Sequence, residues 1–165
     1  MNLARLLKHL VVPHWVVNRA FPPRVLASVE AAIAASEKSH DGELQFAVEV
    51  ALHPVPVARG LTARQRALDV FSSLKVWDTE HNSGVLIYVQ LVDRRIEIVA
   101  DRGISAKVAQ AEWDAICRRM ENEYKAGRFE AGTLAAIAEI TALLTRHFPP
   151  LGDNPNELSD KPVVL

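Results

Sequence analysis

The chain has 165 residues, 49% of them hydrophobic and 24% charged, and its 19 Lys and Arg against 20 Asp and Glu leave a formal charge of −1. A single globular domain of this size buries about 70% of the surface its unfolded chain exposes, so a core can form without a metal or a disulfide. Near-neutral charge argues against a general nucleic-acid binder, and a lone cysteine, Cys117, excludes an intrachain disulfide and paired-cysteine zinc or redox motifs.

No apolar run approaches the roughly 20 residues of a membrane-spanning helix. Lys8, His9, Pro13 and His14 interrupt the N-terminal stretch before a signal-peptide core can form. The expectation is a cytoplasmic protein, peripheral at the inner membrane surface if its first helix binds lipid. That helix is predicted over residues 2–11, where Leu3, Leu6, Leu7, Leu10 and Val11 recur at helical spacing and Arg5, Lys8 and His9 take another face. Residues 1–29 carry Arg5, Lys8, Arg19 and Arg24 and no acidic side chain, so residues 1–22 read as a basic amphipathic segment. Ten residues are short for stable binding at a lipid interface. The segment is therefore expected to pack on the domain, with membrane-surface binding beside Trp15 as the alternative. Pro22 and Pro23 open the next helix, whose buried stripe is Val25, Leu26, Val29, Ala32 and Ile33 and which runs to about Lys38.

Residues 43–52 alternate, with Leu44, Phe46, Val48, Val50 and Leu52 on one side and Glu43, Gln45 and Glu49 on the other. This is the period of a strand with one apolar face. His53-Pro54-Val55-Pro56 stops it, since proline has no ladder donor. Thr62 and Gln65 fit a capping box, and Leu68, Phe71 and Leu74 are the expected inward face of the helix that follows. Residues 85–92 are almost continuously apolar and branched, which predicts a central strand covered on both faces. Asp93-Arg94 links it as a hairpin to a strand over residues 95–100. One further helix carries Trp113, Ile116, Cys117 and Met120, which places the cysteine in the core; another carries Leu134, Ile137, Ile140 and Leu144. After His147, prolines and polar residues show no period, and residues 150–165 are read as a flexible tail. The order predicts an α/β/α sandwich over residues 23–149: a small mixed sheet, made of a parallel crossover pair plus an antiparallel hairpin, covered by helices on both faces.

That topology carries the functional reading. With the first two strands parallel and the third reversed, three loops meet at one end of the sheet. They are His40-Asp41-Gly42-Glu43, residues 78–84 and Asp101-Arg102-Gly103. Carboxylates gathered there raise one another's proton affinity unless a cation compensates, and oxygen-rich ligation suits Ca²⁺ or Mg²⁺. Asp78, Glu80, Asn82 and Asp101 are the candidate metal ligands. His81, as a proton shuttle, and Arg102, beside the Gly103 turn, are the candidate catalytic residues toward a phosphate. The plainer alternative is a set of solvated turns. Asp78, Glu80 and Asn82 mimic the opening of a calcium loop, but Ser83 stands at its glycine position and Val89 at its closing glutamate, so an EF-hand is rejected. G-x-S-x-G, P-loop and G-x-G-x-x-G sequences are absent. Arg94-Arg95 is expected at the opposite end, as a solvated hairpin tip.

The stretch WDTEHNSGVLIYVQLVDRRIEIVADRG, residues 77–103, followed by AGRFEAGTLAAIAEITALLTRHFP, residues 126–149, resembles the TPM-domain family. The likeness rests on the strand start at Asn82 to Leu86, the Arg-bearing hairpin, the strand end before Gly103, and Ala126-Gly127-Arg128-Phe129 with Gly132. This family includes thylakoid-lumen proteins with reported acid phosphatase activity. The resemblance, to a soluble bacterial branch, implies an α/β/α sandwich, divalent-cation binding in some relatives and phosphatase chemistry in some branches. Members commonly carry Asp-Asn-Gly and Gly-x-Gly where this chain has Asn82-Ser83-Gly84 and Asp101-Arg102-Gly103, so one carboxylate is lost and one gained nearby. The leading expectation is a TPM-like binding module that holds Ca²⁺ or Mg²⁺ and meets a protein, a membrane protein or a phosphate-containing ligand, but no nucleic acid. Behind it stand a metal-assisted phosphomonoesterase and a metal-free adaptor docking to a membrane protein through the first helix.

Overall fold

The computed structural model describes residues 3–150, 152 and 156–165. The predicted helix start at residue 2 and the predicted flexibility of residues 151 and 153–155 fall outside them. In chain order the elements are α1 (Leu3–Val11), α2 (Val16–Ala20), α3 (Pro23–Ser36) with a 3-10 turn (Glu37–Ser39), β1 (Glu43–Glu49), α4 (Pro54–Ala58), α5 (Ala63–Ser73), β2 (Gly84–Gln90), β3 (Arg95–Ala100), α6 (Arg102–Ser105), α7 (Gln110–Lys125), α8 (Phe129–His147) and β4 (Val163–Val164). The sheet runs β3-β2-β1-β4. β1 is parallel to β2, with Glu43 opposite Gly84, and β2 is antiparallel to β3, with Val85 opposite Ala100.

Alternation along the strands sorts the core into two layers, as the predicted α/β/α sandwich requires. Leu44, Phe46, Val48, Val85, Ile87 and Ile98 meet Ile33 of α3, Trp113 of α7 and Ile140 of α8 on one face. Ala47, Leu86, Tyr88 and Val99 meet Ala67, Val70 and Phe71 of α5 on the other. The predicted capping box of Thr62 and Gln65 starts α5. Its rotation differs from the expected one: Leu68 is 47% exposed, because the helix turns so that Arg66 reaches Glu49 on the sheet.

The alternation in β1 predicts one polar face, yet every residue of the strand is buried. β1 lies between β2 and β4, and its polar side chains are covered by α5 and the C-terminal segment. Glu49 takes a two-point ion pair from Arg66 at 2.9 and 2.8 Å and a hydrogen bond from the Tyr88 hydroxyl at 2.5 Å. Gln45 donates to the Lys161 carbonyl at 3.0 Å, and Glu43 accepts from the Leu158 amide at 3.1 Å. For residues 156–165 these contacts correct the reading of a flexible tail: Val163 and Val164 pair parallel with Ala47 and Val48. A strand of two residues has no period to detect, and its flanking prolines suggested a mobile extension.

β2 ends at Gln90 and not at residue 92, so residues 91–94 form the hairpin turn, with Arg94 in the left-handed region at φ 54°. The buried Gln90 side-chain amide ties the turn down: it donates to the Val50 carbonyl at 3.1 Å and accepts from the Asp93 amide at 2.5 Å. The proline-rich residues after β1 fold into the short α4, capped by His53, and do not merely interrupt the strand.

α1 packs on the domain through the edge the sequence assigns to solvent. His9 is buried; its Nδ1 accepts from the Leu52 amide at 2.9 Å and its Nε2 lies 3.2 Å from Asp93. Arg5 donates to the same carboxylate at 2.7 Å. The leucine stripe faces outward, with Leu3, Leu7 and Leu10 at 59%, 53% and 57% exposure and Val11 at 74%. Among the described residues no helix is long and apolar enough to cross a membrane.

Candidate functional site

At the amino ends of β1 and β2 the three predicted loops converge. Thr79 organises the second of them: its hydroxyl accepts from the Ser83 amide at 2.9 Å and its carbonyl from the Asn82 amide at 3.2 Å. Asn82 is thereby held at φ 51°, a left-handed conformation that Asn tolerates better than most residues. Glycines allow the loop to close on its neighbours. A Cβ at Gly84 would stand 1.8 Å from the Val76 carbonyl oxygen, and one at Gly103 would stand 2.6 Å from that of Asn82 and 2.8 Å from that of His81. The loop over residues 78–84 therefore lies directly against the turn after β3, as the strand directions require.

The predicted residues separate into two groups. Arg102 Nε donates to Asn82 Oδ1 at 2.9 Å. Asp101 donates its amide to the Gly84 carbonyl at 2.8 Å, and its Oδ1 accepts from the Arg102 amide at 2.7 Å, capping α6. Asp101 Oδ2 is buried and has no hydrogen-bond partner among the described residues. Asp78, Glu80 and His81 are exposed. Glu80 contributes its backbone instead, the amide donating to the Glu157 carboxylate at 3.0 Å. Among the described residues no three His, Cys, Asp or Glu side chains are placed to hold one metal ion. Asn82, Asp101 and Arg102 are thus brought together, whereas Asp78, Glu80 and Asp101 share no coordination shell. An orphaned carboxylate oxygen is chemically suited to a cation, but with Asn82 Oδ1 engaged by Arg102 the donor set around it among the described residues is sparse.

Three carboxylates the sequence did not mark join this end: Glu37, Glu157 and Asp160. Glu37, Glu43 and Asp160 line a cavity of about 360 Å³ together with Lys38 and Asn156. Burial pushes Glu37 up to about 8, opposed by the Leu44 amide it accepts at 2.9 Å and assisted by neighbouring Glu43 and hydrogen-bonded Asp160. Burial likewise raises Glu43, whose Oε1 is enclosed without a hydrogen-bond partner among the described residues. Glu157 and Asp160 were hidden because they belong to the segment read as a tail. Glu37 gave no signal beyond its place near a helix end.

His40 is fully buried, its Nδ1 accepting from the Gly42 amide at 3.1 Å and its Nε2 lying 2.8 Å from the Ser36 hydroxyl. Desolvation holds its imidazole below the ordinary value, as fits a residue that shapes the loop into β1. Burial pushes the Cys117 thiol up to about 12, in keeping with a packing role. Arg94 and Arg95 are exposed at the hairpin, at the other end of the sheet.

A family model described as the TPM domain matches residues 19–143 of the chain. Among solved structures, the chain is similar to the BA42 protein from the psychrophilic bacterium Bizionia argentinensis, determined by NMR. The two are 28% identical with a TM-score of 0.76, over 86% of this chain and 93% of that one. It is also similar to the N-terminal domain of a P. gingivalis protein, solved by solution NMR. There the identity is 18% and the TM-score 0.55, over 74% of this chain and 76% of that one, a likeness of fold alone. No curated protein matches the chain.

Proposed function

The chain belongs to the TPM-domain family, and on that premise we propose that it is a binding module whose acidic end takes up a divalent cation, Ca²⁺ or Mg²⁺, at Asp101. The observation that carries this reading is the buried Asp101 Oδ2, which has no hydrogen-bond partner among the described residues. A desolvated carboxylate oxygen left without a donor is costly, and a cation removes that cost. Asp78 and Glu80, exposed on the adjoining loop, add to the negative potential that draws the ion in without having to touch it. When bound, the ion supplies positive charge able to join the rim to an anionic ligand. Arg102 is exposed and spends its Nε on Asn82, so the guanidinium is kept beside Asp101.

Calorimetric and thermal-shift titrations with Ca²⁺ and with Mg²⁺ test the reading. Wild type is expected to release or absorb heat and to melt higher at up to about 5 mM metal. Asp101→Asn, which preserves a good helix cap, is expected to abolish both responses, while Asp78→Ala weakens them only a few-fold. A silent wild type, or an Asp101→Asn protein that titrates normally, removes the cation from this place. The exposed Arg102 favours a second reading, a metal-assisted phosphomonoesterase in which that guanidinium holds the ester. Metal-dependent turnover of a generic phosphate ester, lost in both Asp101→Asn and Arg102→Ala, would select it.

A further inference from the structure

α1 inverts the usual logic of a surface helix. Amphipathic helices turn their apolar stripe to the core and their charges to water, but here the buried side is polar. Arg5 and His9 are tied to Asp93, and His9 also takes the Leu52 amide. The opposite side presents Leu3, Leu7, Leu10 and Val11, all more than half exposed, and Trp15 follows at 62%. Basic side chains adjoin this face. Lys8 and Arg19 are exposed in the same segment, and Arg94 and Arg95 are exposed at the hairpin next to Asp93, the residue that anchors the helix. A cavity of about 290 Å³ opens between α2 and this hairpin, its apolar wall including Val16 and Phe129 and its lining including Arg94, Arg95 and Lys125, with Glu121 as the acidic member.

We infer that α1 is an interfacial anchor that seats the protein on an anionic lipid bilayer. Its leucines, Val11 and Trp15 enter the boundary between headgroups and acyl chains, and Lys8, Arg19, Arg94 and Arg95 meet the lipid phosphates. Charge complementarity selects this occupant, because residues 1–29 hold no carboxylate to pair with a cationic surface. Size argues against a second copy: a helix of 9 residues is only about 14 Å long, little for an interface that needs roughly 800 Å² from each partner. Shortness is less costly on a membrane, since the Asp93 contacts hold α1 already helical and correctly rotated before it meets lipid.

Flotation of the full chain with vesicles of phosphatidylcholine alone, or containing about 30% phosphatidylglycerol, tests the proposal. Association is expected with the anionic vesicles only, to weaken with added salt, and to fall at least about tenfold in Leu7→Glu/Leu10→Glu. Both positions are exposed, so the thermal midpoint should be unchanged; Trp15→Ala serves as the second variant if it is not. Weaker anionic-vesicle binding in Arg94→Glu/Arg95→Glu would support the basic contribution. Absence of flotation, or flotation indifferent to Leu7→Glu/Leu10→Glu, overturns the inference. So does a dimer that these substitutions dissociate without any vesicle binding, which would make the face a self-association surface.

Discussion

Glu37 follows the end of α3, in the 3-10 turn that leads toward β1, and the fold takes its carboxyl out of water. Burial raises its proton affinity from the ordinary 4.5 to about 8. The unfolded chain therefore gives up this proton more readily than the folded one. By linkage, the stability Glu37 contributes is fully present below about 4.5 and is lost as the pH rises through about 8. His40 works in the opposite sense. Its depressed value makes the folded state resist protonation, so its contribution is present above 6.5 and is lost as the pH falls. Glu37→Gln keeps an acceptor for the Leu44 amide and a donor for Asp160 while removing the titration. Thermal melts at about pH 5, 7 and 9 should show the variant gaining on wild type as the pH rises. A residual alkaline slope is expected from Glu43, which is raised in the same direction. Parallel pH profiles for the two proteins would show that Glu37 titrates as an ordinary carboxylate.

Elements differ in how much of their environment their own residues reveal. The parallel crossover pair and the antiparallel hairpin were legible from the connections between strands, and the strands themselves and the buried positions of α3 and α7 from local pattern: the period of two in β1, the branched run of β2, and the spacing of Val25, Val29 and Ile33 or of Trp113, Ile116 and Met120; the edge strand β4 was not. What covers a polar face is not local. Glu43 and Gln45 look solvated until residues 156–165 return across them, and α1 looks anchored by its leucines until Asp93, 88 residues beyond Arg5, takes the other side. The candidate site divides the same way. Convergence of the loops followed from topology, and the Gly103 turn was visible, whereas the approach of Glu157 to the Glu80 amide is a contact between residues far apart in the chain. Deleting residues 156–165 tests the covering role of the C-terminal segment. Lost burial of Leu158, Val163 and Leu165, together with an unpaired Gln45 amide, should lower stability by about 3 kcal/mol. Denaturant unfolding reads that loss, and an unchanged midpoint would mean that β4 adds pairing without stability.

At the scale of the whole molecule the sheet keeps two opposed surfaces apart. Asp41, Glu43, Asp78, Glu80, Asp101, Glu157 and Asp160 gather at or near the amino ends of β1 and β2, while α1, Arg94 and Arg95 lie toward their carboxyl ends. β1 has 7 residues, which at roughly 3.3 Å each puts about 23 Å between the ends, more than two Debye lengths at physiological salt. An anionic bilayer bound at one end would thus leave the acidic rim turned toward water and open to ions. Separation of this size, with no residue shared between the two surfaces, predicts independence. In lipid-free titrations Leu7→Glu/Leu10→Glu should leave cation affinity unchanged, and in metal-free flotation Asp101→Asn should leave vesicle binding unchanged. Combining the substitutions should give effects that add to within about 0.5 kcal/mol. A larger departure would mean that occupancy at one end is transmitted through the sheet, with β1 the direct physical route because it is packed on both faces and begins at the acidic rim.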